Sequence, residues 1–207
     1  MSQIYKVFIN NFFILITNNF FYIQTSTHDD SLLSIYFQSY AKMILYLKEN
    51  NYNLDCNIVM YSENTCSVLN KLKLDFNYII ASGGIVKNRD NQLLMIHKNG
   101  IWDLPKGKLE LNESPWEAAI REVSEETNVY NLEYLSSAPN TYHIYMLLHN
   151  DIPVLKETQW FCMTVSDPVF ILPQISEGID LVEWVHFKNL SSKRIHMSIR
   201  NLILDFI

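Results

Sequence analysis

The sequence predicts an α+β or α/β fold in two parts, a small ββαβα domain over residues 1–77 and a larger domain over 78–207. Three observations lead there. Short apolar runs of strand length alternate along the chain with stretches whose apolar residues recur at helical spacing. The first 77 residues contain no glycine, and all five glycines fall between positions 83 and 178. Finally, 48% apolar and 18% charged residues in 207 positions are the proportions of a folded protein with a sizeable core.

In chain order, Tyr5–Ile9 and Phe12–Thr17 read as strands joined at Asn10-Asn11, with a third short strand at 20–23 after Asn18-Asn19. The asparagine pairs interrupt the apolar run well short of the ~18 residues that a membrane helix needs, and no small-residue cleavage site follows. No membrane association is therefore expected. His28, Asp29, Asp30 and Ser31 read as a capping turn rather than a metal trio, opening a helix over 31–49. Asn57–Tyr61 reads as a buried strand and 62–72 as a second helix. For this first domain three roles stand open: covering the second domain, forming a homodimer face, or selecting substrate.

The stretch 77–86 marks the junction and opens the second domain. Gly83-Gly84 inside it suggests a bulge or a close backbone approach. Residues 88–91 form a turn and 92–97 return as a strand. A second turn at 98–100 leads through Trp102, Pro105 and Lys106 to Gly107.

Residues 107–129 read GKLELNESPWEAAIREVSEETNV. Ser114 is the N-cap, Pro115 takes the first helical position, and Glu117 completes a capping box. The helix is expected to run to Thr127 and to end on Asn128 in the left-handed conformation. Trp116, Ala119, Ile120 and Val123 form its apolar side. Glu122, Glu125 and Glu126 fall three and four residues apart and share a face, where like charges repel. A hard divalent cation reverses that sign. A solvated acidic face is the alternative.

The stretch resembles the Nudix box, G-x5-E-x7-R-E-U-x-E-E-x-G-U, where U is aliphatic. Gly107, Glu113, Arg121, Glu122, Val123, Glu125, Glu126 and Val129 match, and Asn128 replaces the last glycine. The resemblance covers residues 80–207 and implies an α/β/α sandwich with a mixed sheet. It further implies hydrolysis of a phosphoanhydride with Mg2+, or Mn2+ as substitute, held by Glu122, Glu125, Glu126 and the Gly107 carbonyl. Arg121 is expected to orient the carboxylates, with Glu113 as its partner.

The lead-in is similar to W-x-x-P-x-G, and Lys106 before the glycine resembles branches acting on dinucleoside or diphosphoinositol polyphosphates. Lys106 and Lys108 place positive charge where a polyphosphate would sit. Tyr145, sixteen residues past the box, resembles a base-stacking tyrosine, and Lys156 resembles a lysine of the same branches. Glu177 matches a glutamate that binds metal or acts as general base. ADP-ribose and nucleotide sugars also stay open as substrates.

Strands are expected at 140–148, 157–165 and 181–187, a loop between Pro168 and Pro173, and a final helix over 191–206. The net charge of −6 argues against nucleic-acid polymers as partners and leaves a small anionic nucleotide or polyphosphate. Cys56, Cys66 and Cys162 show no metal or disulfide spacing, which fits a cytoplasmic protein. A non-catalytic Nudix-fold nucleotide sensor is the alternative function.

Overall fold

The computed structural model describes residues 4–19, 34–147, 150–165 and 170–206. The expected strand at 20–23, the capping turn at 28–31 and Pro168 lie outside them. The chain divides into two compact units, Met1–Ile79 with Tyr142–Lys156, and Ile80–Thr141 with Glu157–Ile207. Residues 142–156, which the sequence reading placed in the larger domain, thus group with the first unit.

In the first unit, β1 (Tyr5–Ile9) and β2 (Phe12–Thr17) form a hairpin turned at Asn10, whose φ of 53° suits asparagine. The next element corrects the sequence reading. Ser34–Phe37 is a strand, β3, rather than the start of a helix, and α1 begins only at Tyr40 (Tyr40–Glu49). Among the described residues, the stretch 4–75 therefore runs βββαβα instead of ββαβα. The residues of β3, SIYF, favour either state by pattern, and parallel pairing with β4 (Asn57–Tyr61) decides it. β4 also pairs in parallel with β2, so this sheet is mixed. α2 (Thr65–Asp75) starts at Asn64, whose side chain accepts from the Ser67 amide at 2.9 Å.

One face of the sheet contributes Val7, Ile9, Ile14, Ile16, Ile58 and Met60 at every second position. Met43 and Leu47 of α1 and Val68, Leu69 and Leu72 of α2 cover it. At about 1.5–3 kcal/mol for each large apolar side chain, this burial is what holds the glycine-free unit together.

The second unit is a three-layer sandwich, and its strands show this by alternation. β5 (Asn77–Lys87) sends Ile85 to one core and Val86 to the other. β6 (Leu93–Lys98) does the same with Leu93 and Met95 against Leu94 and Ile96. α3 (Pro115–Thr127) closes one face through Ala119 and Val123. α4 (Met197–Phe206) closes the other through Ile199, Leu202 and Ile203.

β7 (Ile101–Asp103) pairs with β6, and β8 (Lys106–Lys108) pairs with β5. β9 (Glu133–Leu147) and β10 (Asn150–Thr164) each span fifteen residues, longer than the stretches expected at 140–148 and 157–165, and they lie side by side in the sheet. β11 (Ile179–Val185) lies antiparallel to β6, starting two residues earlier than expected. The sheet order in this unit is β11-β6-β5-β10-β9.

The expected helix at 191–206 divides into a 3-10 segment, Phe187–Ser192, and α4. The break arises because the Trp102 amide donates to the Arg194 carbonyl at 2.8 Å and Trp102 bridges Ile195, drawing that stretch out straight. No helix among the described residues is long and apolar enough to cross a membrane.

Candidate active site

α3 carries its own local code. Ser114 Oγ accepts from the Glu117 amide at 3.3 Å, and Glu117 Oε2 accepts from the Ser114 amide at 2.8 Å. Ser82, fully buried on β5, donates its hydroxyl to the Pro115 carbonyl at 2.6 Å and anchors this end to the sheet. On the apolar side, Ala118, Ala119 and Val123 are buried, whereas Ile120 is half-buried and lines a shallow pocket with Arg121 and Glu113. The small alanines and bare Gly84 let helix and sheet meet closely: a Cβ on Gly84 would stand 2.5 Å from Val123.

Asn128 ends the helix at φ 61° and ψ 23°. Its Nδ2 also donates to the Phe170 carbonyl at 2.9 Å, a bond that a glycine could not make. Asn128→Ala is expected to destabilise the fold by about 1–2 kcal/mol, and Asn128→Gly by less than half of that, in urea unfolding. Equal losses would remove the left-handed conformation as the reason for this residue.

The carboxylates of α3 meet different partners. Glu122 and Glu126 are buried, with 8% and 3% of their surface exposed. Glu122 lies directly on Gly107, where any Cβ would overlap its carboxylate. Glu126 Oε2 accepts from the Lys106 amide at 2.8 Å. Glu125 is half exposed and turns to Arg121 instead.

Arg121 is the hub of the cluster. It donates to Glu113 through Nε at 2.8 Å and Nη2 at 2.9 Å, to Glu122 and Glu125 through Nη1 at 2.7 and 3.1 Å, and to the Lys108 carbonyl at 3.0 Å. The fork geometry of a guanidinium suits this many acceptors, where an ammonium would not.

Electrostatics separate these groups. Hydrogen bonding from Arg121 holds Glu113 below the usual carboxylate range. Burial raises Glu122 even against the pull of Arg121, with Glu125 and Glu177 adding to the rise. Burial pushes Glu126 up to about 7, opposed by Lys106 and helped by Glu122 and Asp103.

Among the described residues, no three His, Cys, Asp or Glu side chains stand together as a ready metal cage. The donor chemistry nevertheless fits a hard cation, since two buried carboxylates flank the Lys106–Gly107 backbone and burial pushes both toward their neutral forms even against Arg121 and Lys106.

The lysines are not equivalent. Lys106 Nζ pairs with Asp103 Oδ2 and also reaches the Leu104 carbonyl at 3.4 Å, so its charge is directed into the protein. Burial would raise the Asp103 carboxyl, but Lys106 beside it brings the net shift below the ordinary value. The sequence reading missed Asp103. Its spacing of three residues from Lys106, across a proline, was the available signal. Lys108 is exposed.

Glu177 ends a 3-10 turn, lies 3.7 Å from Lys98 Nζ, and acts electrostatically on Glu122. Two backbone bonds hold its loop to the end of α3: the Leu172 amide donates to the Thr127 carbonyl and the Gln174 amide to that of Glu126. Tyr145 is half-buried on β9 and Lys156 lies on β10. Both fall in the first unit, not in the unit that carries the carboxylates.

Over 52 residues the chain is 44% identical to a MutT-like protein of Streptomyces ambofaciens, a stretch covering 24% of this chain and 34% of the relative. It is 39% identical over 56 residues to Nudix hydrolase 25 of Arabidopsis thaliana, covering 26% and 32%. The chain thus spans about a third of the length of the curated relatives it matches. Among solved structures, a C. elegans Ap4A hydrolase complex is similar with a TM-score of 0.46 and 18% identity, over 56% of this chain and 85% of that one. The family model of the NUDIX domain matches residues 77–206, more than half of the sequence. The chain therefore belongs to the Nudix family.

Proposed function

We propose that the chain is a divalent-cation-dependent pyrophosphohydrolase that cleaves a phosphoanhydride in a small nucleoside-diphosphate-linked substrate. The observation that carries this reading is the pair of buried carboxylates, Glu122 and Glu126, set against the Gly107 and Lys106 backbone. Burial of these carboxylates is not fully offset by Arg121 and the Lys106 amide, and a bound divalent cation would supply the missing compensation. The family membership and the hydrolase name of the Arabidopsis relative point the same way.

Glu122, Glu126 and the Gly107 carbonyl would hold Mg2+ or Mn2+, with Glu125 joining them by turning away from Arg121. A bound divalent cation supplies charge neutralisation on the phosphates and Lewis acidity. Arg121 keeps the carboxylates oriented, braced by Glu113 on its other side. Lys108 stands exposed beside Gly107 to meet phosphate charge. Glu177, on a loop tied to the end of α3, or one of the box glutamates would take the proton of the attacking water.

A panel of dinucleoside polyphosphates, ADP-ribose, nucleotide sugars and diphosphoinositol polyphosphates, assayed for product release with Mg2+ or Mn2+, tests the reading. Turnover on at least one class is expected, lost on chelation and in Gly107→Ala, whose Cβ would displace the Glu122 carboxylate. Tight nucleotide binding without product from the wild-type protein would instead identify a sensor.

A further inference from the structure

We propose that Asp103 is a positioning residue, and that Lys106 serves as its strut rather than as a substrate-binding lysine. The inference rests on the hydrolase reading for its kinetic arm only. The geometry begins at Asp103, which uses both carboxylate oxygens within its own loop. Oδ1 accepts from the Leu104 amide at 2.8 Å and Oδ2 from Lys106 Nζ. The lysine side chain folds back over Pro105 to make this contact and is 16% exposed, against 15% for Asp103. The pair therefore clasps residues 103–106 into one bend.

That bend is held from the β5 side as well. The Gly84 amide donates to the Pro105 carbonyl at 3.1 Å. A Cβ on Gly83 would come within 2.5 Å of both Lys106 Cβ and the Pro105 carbonyl oxygen, so the approach needs a bare backbone there. What the clasp presents on its remaining side is the Lys106 amide, donated to Glu126 at 2.8 Å, and then Gly107 under Glu122. Lys106 thus bonds Glu126 through its backbone amide, while its ammonium is taken up by Asp103 and acts on Glu126 only through space. A charge already neutralised by a largely buried carboxylate is a poor receptor for phosphate, and a supporting residue of this kind commonly changes function about 10–100-fold when removed.

The test uses the full chain as wild type, Asp103→Asn, Lys106→Met and the double variant. Asn keeps the acceptor for the Leu104 amide and removes only the charge. In metal-free protein, hydrogen exchange at the Lys106 amide is expected to quicken about tenfold or more in Asp103→Asn, while amides in the middle of α3 stay protected. In the assay, kcat is expected to fall about 10–100-fold in either single variant with KM within about twofold. The double variant should be no worse than the singles, as for two halves of one contact.

Unchanged Lys106 exchange in Asp103→Asn overturns the proposal. So does a Lys106→Met variant with intact kcat and a several-fold higher KM, which would put the ammonium on the substrate. Wild-type protein without turnover on the panel would count against the hydrolase reading alone, because the exchange arm still decides this inference.

Discussion

Glu126→Gln is expected to lower turnover by about 10^2–10^3-fold, the scale on which a single charge-stabilising group acts in a buried site. The same substitution should make the metal-free protein more stable at pH 8. Glu126 is 3% exposed, and burial lifts its carboxyl to about 7 from 4.5. Ionising it inside the protein thus costs on the order of 3 kcal/mol relative to the unfolded chain. Glutamine avoids that cost and can keep the acceptor for the Lys106 amide. Steady-state kinetics with Mg2+ and urea unfolding in EDTA read the two halves separately. A variant that turns over like wild type, or that loses stability in EDTA, would contradict the role given to this residue.

The wild-type protein in EDTA should lose stability as pH rises from about 4.5 through 7. A carboxyl whose folded pKa exceeds its unfolded one binds more protons when folded, so its contribution is complete below 4.5 and is lost as pH climbs through the folded value. Glu122 shifts in the same direction and adds to the loss. Glu113 and Asp103 shift the other way, so their contributions disappear only as pH falls below the ordinary carboxylate range. Mg2+ should therefore raise the unfolding midpoint more at pH 8 than at pH 5.5. At a hundred times its Kd the ion would contribute about 2.7 kcal/mol. Thermal scans across pH, with and without the ion, check this. A flat profile insensitive to Mg2+ would leave the buried carboxylates without the purpose assigned to them.

What was legible in the sequence was whatever depends on near neighbours. The start of α3 at Ser114, Pro115 and Glu117 and its end at Asn128 follow from side chains that bond to the backbone within one turn. The pairing of Arg121 with Glu113 and Glu125 likewise rests on residues brought close by the helix and the bend before it. The alternation of Leu93 to Ile96 between two cores was readable in outline because strand periodicity is a local property.

Other features required partners far along the chain. The residues of β3 carry no signal that separates strand from helix, and β4, some twenty residues later, supplies the ladder that settles the matter. The added part of β9 is largely exposed, so alternation does not mark it as strand, and it forms beside β10 in the sheet.

The sequence by itself determined the family, the acidic helix and the glycine on which Glu122 lies, because these depend on spacing alone. Only the tertiary structure decided which charges are available. It turned Lys106 onto Asp103, left Lys108 exposed, buried Glu122 and Glu126 while exposing Glu125, and assigned Tyr145 and Lys156 to the other unit. The physical reason is that a side chain's direction and solvation follow from what packs against it, which residue spacing does not encode.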